Sequence, residues 1–316
     1  MANIQSSFMQ TPAWERMQQR LNSRTYWLDG VLFVNKKIRF GQDFWYAPRT
    51  DIIPELARLD AVFGKKTTFL KIEPVSEILP KPFVKVATTQ PRQTLILNID
   101  KKMEDVLGSM KSKTRYNIRL SERKGLKTIT YKYPESLQHL QTFIKLTHET
   151  NIRDQIKSYD VRYYKTLLTE LGKEDMAELL ITYSEGEPLS AMILVHYNET
   201  STYLFGASSS QKKELMASHH MQYVAIQNAI DRGSKRYDFW GVRVDTKFTL
   251  KESKSHISIE DVLPTPGNTY GVTKFKLGFG GSIYQYPPAY TRSYKPFWYN
   301  VYRSYRFFST SKGFNF

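Results

Sequence analysis

Residues 176–208, "MAELLITYSEGEPLSAMILVHYNETSTYLFGAS", read as a three-strand meander whose apolar runs are broken at Glu-Gly-Glu-Pro and Asn-Glu-Thr, both turn-forming clusters. Next comes "SHHMQYVAIQNAIDRG" (218–233), a helix that Gly233 ends, and then the short strand "RYDFWG" (236–241). Antiparallel strands, a helix and a strand leading toward a ligand-facing loop describe an α+β unit.

Upstream, "VLFVNKKIRFGQDFWYAPR" (31–49) alternates short apolar runs about a glycine turn and reads as strands, while "DIIPELARLDAVFGKK" (51–66) fits a helix closed near Gly64. "TTFLKIEP" (67–74), "QTLILNID" (93–100) and "LKTITYKYP" (126–134) supply further strands. Between the last two lies "KKMEDVLGSMKSKTRYNIRLSERKG" (101–125), helical and strongly basic: from Lys101 to Lys127 there are nine basic and three acidic residues. Pro134 is the natural start of a second unit, whose first helices are "QHLQTFIKLTHETNI" (138–152) and "YDVRYYKTLLTELG" (159–172). The polar stretch 242–270, with Pro264 and Pro266, is expected to be a long loop over a cleft.

With 316 residues, 41% of them hydrophobic and 24% charged, the chain is globular and long enough for two units. A formal charge of +16 favours a polyanionic partner: nucleic acid, a phosphorylated substrate or an anionic membrane surface. There is no cysteine, which excludes disulfides and thiolate chemistry, and the six histidines show no ligand spacing. "MANIQSSFMQTPAW" has no basic patch leading into an apolar run, and no run of 18 apolar residues occurs, so a cytoplasmic protein is expected, with peripheral membrane contact left open.

Hydrolase patterns are missing: there is no G-x-S-x-G elbow and no H-E-x-x-H. Carboxylate and cation chemistry remain. Asp238, between aromatic residues, either anchors a loop or orients an incoming amine or Lys276. "GVTKFKLGFGG" (271–281) is neither a Walker A loop nor a G-x-G-x-x-G fingerprint. Its glycines suit a sharp turn, with Gly280-Gly281 at positive φ or in close backbone contact. As a strand it would point Lys274 and Lys276 to the same side, so alternation does not choose between them. In a cleft, a lysine ammonium there would stabilise negative charge on a carbonyl or phosphate oxygen. In "KSKTRYNIRLSERKG" (111–125), Lys111, Lys113, Arg115, Arg119 and Arg123 either grip a phosphate backbone or merely solvate a helix, the three arginines forming one stripe. The aromatic and basic "FWYNVYRSYRFFSTSKGFNF" (297–316) either docks as a terminal helix or meets anionic lipid headgroups or nucleic acid.

In their order, "SFMQTPAW", "FWYAPR", "KSKTRYNIRLSERKG", "YLFGASSSQKKELMASHHMQYVAIQNAIDRGSKRYDFWGV" and "GVTKFKLGFGGSIYQYPPAY" resemble the Fem-type aminoacyl-tRNA-dependent transferases, the peptidoglycan-bridge aminoacyltransferase family. The resemblance implies an α+β chain of two GNAT-like domains facing across a cleft. The first would be residues 1–133, completed by 294–316, and the second 134–293. It implies transfer of glycine, alanine or serine from charged tRNA to an amine of a peptidoglycan precursor, UDP-linked or lipid-linked. A monomer is expected, with contact at the inner membrane face. Lys276, with Phe275 beside it, would stabilise the reacting ester. Lys36, and less directly Lys212 or Lys213, would bind substrate phosphate, and Lys111, Lys113, Arg115, Arg119 and Arg123 would meet tRNA. The segment after Tyr131 has no long heptad run, so no coiled-coil arm is expected.

Aminolysis of an ester needs a deprotonated amine, its placement on the carbonyl and neutralisation of the oxyanion. The ester already carries the activation energy, so neither cofactor nor metal is called for. The base is Asp238 or a substrate phosphate or carboxylate. Two rivals stand beside this reading: an acyl-CoA-dependent N-acyltransferase, whose pyrophosphate-binding pattern is not evident, and a noncatalytic nucleic-acid or anionic-membrane binding protein.

Overall fold

The computed structural model describes residues 7–76, 78–246, 256–258, 262–264, 267 and 269–310, and the chain forms two units. The first unit comprises residues 1–92 and 286–316, the second 93–285. It opens with α1 (Pro12–Arg20), which Thr11 caps by accepting from Trp14 N at 3.2 Å while Pro12 takes the first turn. Strands β1 (Thr25–Leu28), β2 (Val31–Lys37) and β3 (Asp43–Thr50) form an antiparallel meander. Helix α2 (Leu56–Phe63) then carries the chain to β4 (Phe69–Pro74), parallel to β3, and β5 (Val84–Val86) follows. Leu59 and Phe63, one turn apart, bury the inner face of α2 against Phe33, Leu70 and Tyr290.

The second unit begins with β6 (Gln93–Asn98), α3 (Met103–Ser109), α4 (Ser112–Arg123) and β7 (Lys127–Lys132). After α5 (Leu140–Asp154) and α6 (Val161–Glu170) comes the antiparallel meander β8 (Ala177–Ser184), β9 (Glu187–Tyr197) and β10 (Thr200–Ser208). Its first turn places Glu185 at φ 51° and Gly186 at φ 82°, the left-handed pair that a tight hairpin requires. Helix α7 (Ala217–Asp231) leads to β11 (Arg236–Gly241), parallel to β10. Strands β12 (Val244–Thr246), β13 (His256–Ser258) and β14 (Val262–Pro264), helix α8 (Tyr270–Leu277) and β15 (Ser282–Gln285) complete the unit. The chain re-enters the first unit as β16 (Ala289–Ser293) and α9 (Pro296–Thr310).

The sheet of the first unit has the order β1-β2-β3-β4-β16-β5, and that of the second β13-β15-β6-β11-β10-β9-β8-β7. Each unit therefore repeats one theme, an antiparallel meander, a helix and a parallel strand. The fold is α+β in two units, as the sequence implied. Among the described residues the longest helices of the second unit are α5 and α7, at 15 residues each.

The division of the chain differs from the expected 1–133, 134–293 and 294–316. Strand β7 pairs along its length with β8, Lys127 opposite Tyr183 through Lys132 opposite Glu178, which assigns 93–133 to the second unit. The return comes earlier as well, because β16 sits between β4 and β5. Most of the 242–270 stretch, expected as a loop over a cleft, lies outside the described residues; β12 and β14 pair antiparallel within it.

Candidate active site

The segment 271–281 belongs largely to a helix, and this resolves its two lysines. Helical geometry separates positions i and i+2 by about 200°. Lys274 is exposed on α8, whereas Thr273, Lys276 and Leu277 form its buried face. The two glycines that follow behave as the sequence suggested: Gly280 has φ 86° and Gly281 φ 96°. A Cβ on Gly280 would lie 2.7 Å from Ser109 O, and one on Gly281 would lie 2.5 Å from Ile96 O, so only glycine lets this turn settle on α3 and β6.

Strand irregularities shape what Lys276 reaches. Strands β10 and β11 pair only through Thr200–Thr202 opposite Arg236–Asp238. Beyond that point β10 follows β9 to Ser208, while β11 follows β6. The two parallel strands therefore part at their carboxyl ends. Both strands carry a bulge here, between Tyr203 and Phe205 on β10 and between Asp238 and Gly241 on β11, where Trp240 adopts φ 60°. The second bulge presents the Gly241 carbonyl, which accepts from Lys276 Nζ at 2.7 Å. Lys276 Nζ also lies 5.5 Å from the centre of the Tyr203 ring, whose negative face attracts the cation.

Lys276 is 6% exposed, and burial lowers its pKa to about 8, opposed by the Asp238 charge. Asp238, on β11, accepts from the Thr94 hydroxyl and, at 2.7 Å, from Trp240 N. One carboxylate oxygen thus pins the bulge that carries Gly241. The result is a lysine ammonium held in a dry setting by one carbonyl, one aromatic face and a nearby carboxylate. Such an ammonium can neutralise an oxyanion with little reorganisation.

The other sequence candidates are distributed differently. Phe275 packs edge-on against His219 and Phe279, with ring centres 5.0 Å and 5.2 Å apart, and so fixes α8 on α7. Lys36 lies in the first unit on β2, donating to Gln18 Oε1 at 3.1 Å, and burial lowers its pKa to about 8. Lys212 and Lys213 precede α7. Lys212 is paired with Glu187 at 2.7 Å, while Lys213 is exposed. Lys111, just before α4, and Lys113, Arg119 and Arg123 on it are exposed. Arg115 departs from the expected stripe: it turns back to donate to Met110 O and, at 3.4 Å, to Gly108 O, capping the end of α3. Lys111 N donates to Gly278 O at 3.0 Å, which ties the start of α4 to the end of α8.

Sequence reasoning missed His219, Tyr203 and Thr94. His219 stands at the junction of α4, α7 and α8, 3.2 Å from Asn117 Nδ2 and stacked with Phe279. Burial and the Lys113 charge lower its pKa to about 4, so it is neutral near pH 7. Tyr203 had one visible signal, the glycine three residues on. A Cβ at Gly206 would meet Tyr203 Oη at 1.7 Å, so the ring needs glycine there.

Residues 82–185 and 173–306 match the FemAB family. The chain belongs to the FemAB family. Among similar proteins, the Lipid II:glycine glycyltransferase of Staphylococcus haemolyticus (strain JCSC1435) is 24% identical over 279 residues, covering 68% of this chain and 64% of that protein. The protein of the same description from Staphylococcus aureus is 23% identical over 252 residues, covering 59% and 58%. The chain thus spans a little under two thirds of the length of these FemAB relatives. The crystal structure of FemX superposes with a TM-score of 0.74 at 18% identity, covering 95% of both chains. The structure of L-PGS from Bacillus licheniformis follows at TM-score 0.56 and 16% identity, covering 93% of this chain and 94% of that one.

Proposed function

We propose that this FemAB-family chain moves an amino acid from charged tRNA to an amine of a peptidoglycan precursor stem peptide, by aminolysis of the ester. The buried Lys276 ammonium, donating to the Gly241 carbonyl beside Tyr203 and Asp238, is the observation that carries the reading. With a pKa of about 8, about nine-tenths of it is protonated near pH 7, which suits an oxyanion partner better than a base. The amine nitrogen bonds to the ester carbonyl carbon, the carbon–oxygen bond to the tRNA ribose breaks, and the amine proton ends on the ribose oxygen. Lys276 holds the carbonyl oxygen while it carries charge. Asp238 keeps Lys276 protonated and the Gly241 bulge in place, leaving proton removal to a substrate phosphate or carboxylate.

Glycine stands first among glycine, alanine and serine, on the strength of the two staphylococcal relatives' names. The exposed Lys111, Lys113, Arg119 and Arg123 are the proposed tRNA contacts, with Arg115 holding the helix that presents them. Lys36 and Lys213 are the proposed contacts to precursor phosphate, and Lys212 joins them if its pair with Glu187 opens. Phe275 positions Lys276 by anchoring α8. The proposed location is the cytoplasm, at the inner face of the membrane, and the proposed state is a monomer.

The test supplies UDP-linked and lipid-linked precursors together with tRNAs charged with labelled glycine, alanine or serine. Transfer that ribonuclease abolishes is expected. Transfer from an acyl-CoA and from no charged tRNA would replace this reading with that of an acyl-CoA-dependent N-acyltransferase.

A further inference from the structure

Two elements of the first unit that are far apart in sequence expose aromatic rings and cations side by side. The turn between β2 and β3 carries Phe40, 69% exposed, and the first turn of α9 carries Phe297, 71% exposed. Both rings touch the half-buried Trp298, with centres 6.0 Å and 5.3 Å away, so they belong to one patch. Tyr305, one further exposed ring, lies 4.4 Å under the Arg39 guanidinium. The opposite side of α9 is spoken for. Tyr299 and Tyr302 pack on Phe69 at 5.0 Å and 4.9 Å, and Tyr299 bonds Thr291 Oγ1 at 2.7 Å. The helix therefore docks by one face and leaves Phe297 to the outside. Phe40 adopts φ 60°, a left-handed conformation disfavoured for a bulky residue, at the point where its ring projects.

The charge around the patch has one sign. Lys37 and Arg39 stand on either side of the strand end that leads to Phe40, Lys295 precedes α9, and neither 36–42 nor 294–305 contains an acid. The neighbouring Asp43 is paired with Arg24 at 2.6 Å. Cations beside two exposed phenylalanines and a half-buried tryptophan match a bilayer interface, where rings sit at the headgroup level and arginines meet lipid phosphate. A nucleic acid would use the cations without needing two projecting phenylalanines.

We infer that Phe40, Phe297 and Trp298, flanked by Arg39, Lys37 and Lys295, form a surface that docks on an anionic bilayer. The inference rests on the membrane-side location proposed above and not on the transfer chemistry. It would hold the chain at the leaflet where a lipid-linked acceptor is reached.

The experiment is co-sedimentation of the full chain with vesicles of phosphatidylcholine alone or mixed equally with phosphatidylglycerol. Binding to the anionic vesicles only is expected. K37Q/R39Q should weaken it about thirtyfold, from about 1 kcal/mol for each basic residue near an anionic surface. F40S/F297S, at exposed positions that leave the core intact, should weaken it about tenfold or more while keeping transfer to a soluble UDP-linked acceptor. Vesicle binding unchanged in F40S/F297S would overturn the inference. So would absence of vesicle binding with a tRNA mobility shift that the same variants lose. Vesicle binding without aminoacyl transfer to any acceptor would support the docking surface and overturn the proposed reaction.

Discussion

Replacing Lys276 by Met keeps an unbranched side chain one atom shorter and removes its charge, and the fold should register the change through pH. Lysine ordinarily titrates at 10.5, and burial brings Lys276 to about 8. At about 1.4 kcal/mol per pH unit, the gap between these values amounts to about 3 kcal/mol. The unfolded chain binds this proton more tightly than the folded one, so the cost of the buried charge is fully present below about pH 8. It fades as pH rises toward 10.5, and stability rises with pH across that window. Urea transitions of wild type and K276M, measured near pH 7 and near pH 10, should give a difference that moves by about 2 kcal/mol against the variant. The lost hydrogen bond to Gly241 adds a constant offset, and the other low-titrating lysine, Lys36, is present in both proteins and cancels. A difference that stays flat over this range would refute the desolvated ammonium on which the site is built.

In D238N the charge that opposes the fall of the Lys276 pKa is gone, so the alkaline limb of the transfer rate should move to lower pH; an unmoved limb in a pH–rate profile counts against the pairing. G206A places a methyl group where Tyr203 Oη lies, and should cost about 1–3 kcal/mol in a urea transition and lower the transfer rate about tenfold by shifting the ring from Lys276. R119E/R123E removes two exposed cations of α4, and titration of uncharged tRNA at several salt concentrations should show the slope of log affinity against log salt reduced by about 1.5.

The parts of the fold that were legible in the sequence are those decided by local pattern. The meander from Ala177 to Ser208 shows in its apolar runs and its two turns, and α7 shows in the spacing of Met221, Ala225, Ile226 and Ala229. The unit boundary was not legible, because Pro134 marks a real break in the chain while the partner of β7 is set by a non-local pairing with β8. The difference between Lys274 and Lys276 was also hidden. It depends on whether 271–277 is helical, and the surrounding glycines pointed to a turn. Asp238 was visible as a carboxylate among aromatics, but its hydrogen bonds from Thr94 and Trp240 arise from a bulge that no periodicity announces. His219 looked like one of six scattered histidines, and its place follows from three helices meeting at Asn117, Phe275 and Phe279.

The central claim is that Lys276 acts on the reacting ester of a charged tRNA, and single-turnover transfer from labelled glycyl-tRNA to a precursor tests it most directly. K276A should bind tRNA as wild type does and form the new amide about a hundredfold to a thousandfold more slowly, the loss expected when one oxyanion donor is removed. A K276A rate within about threefold of wild type would be less than about 1 kcal/mol of the barrier and would contradict it.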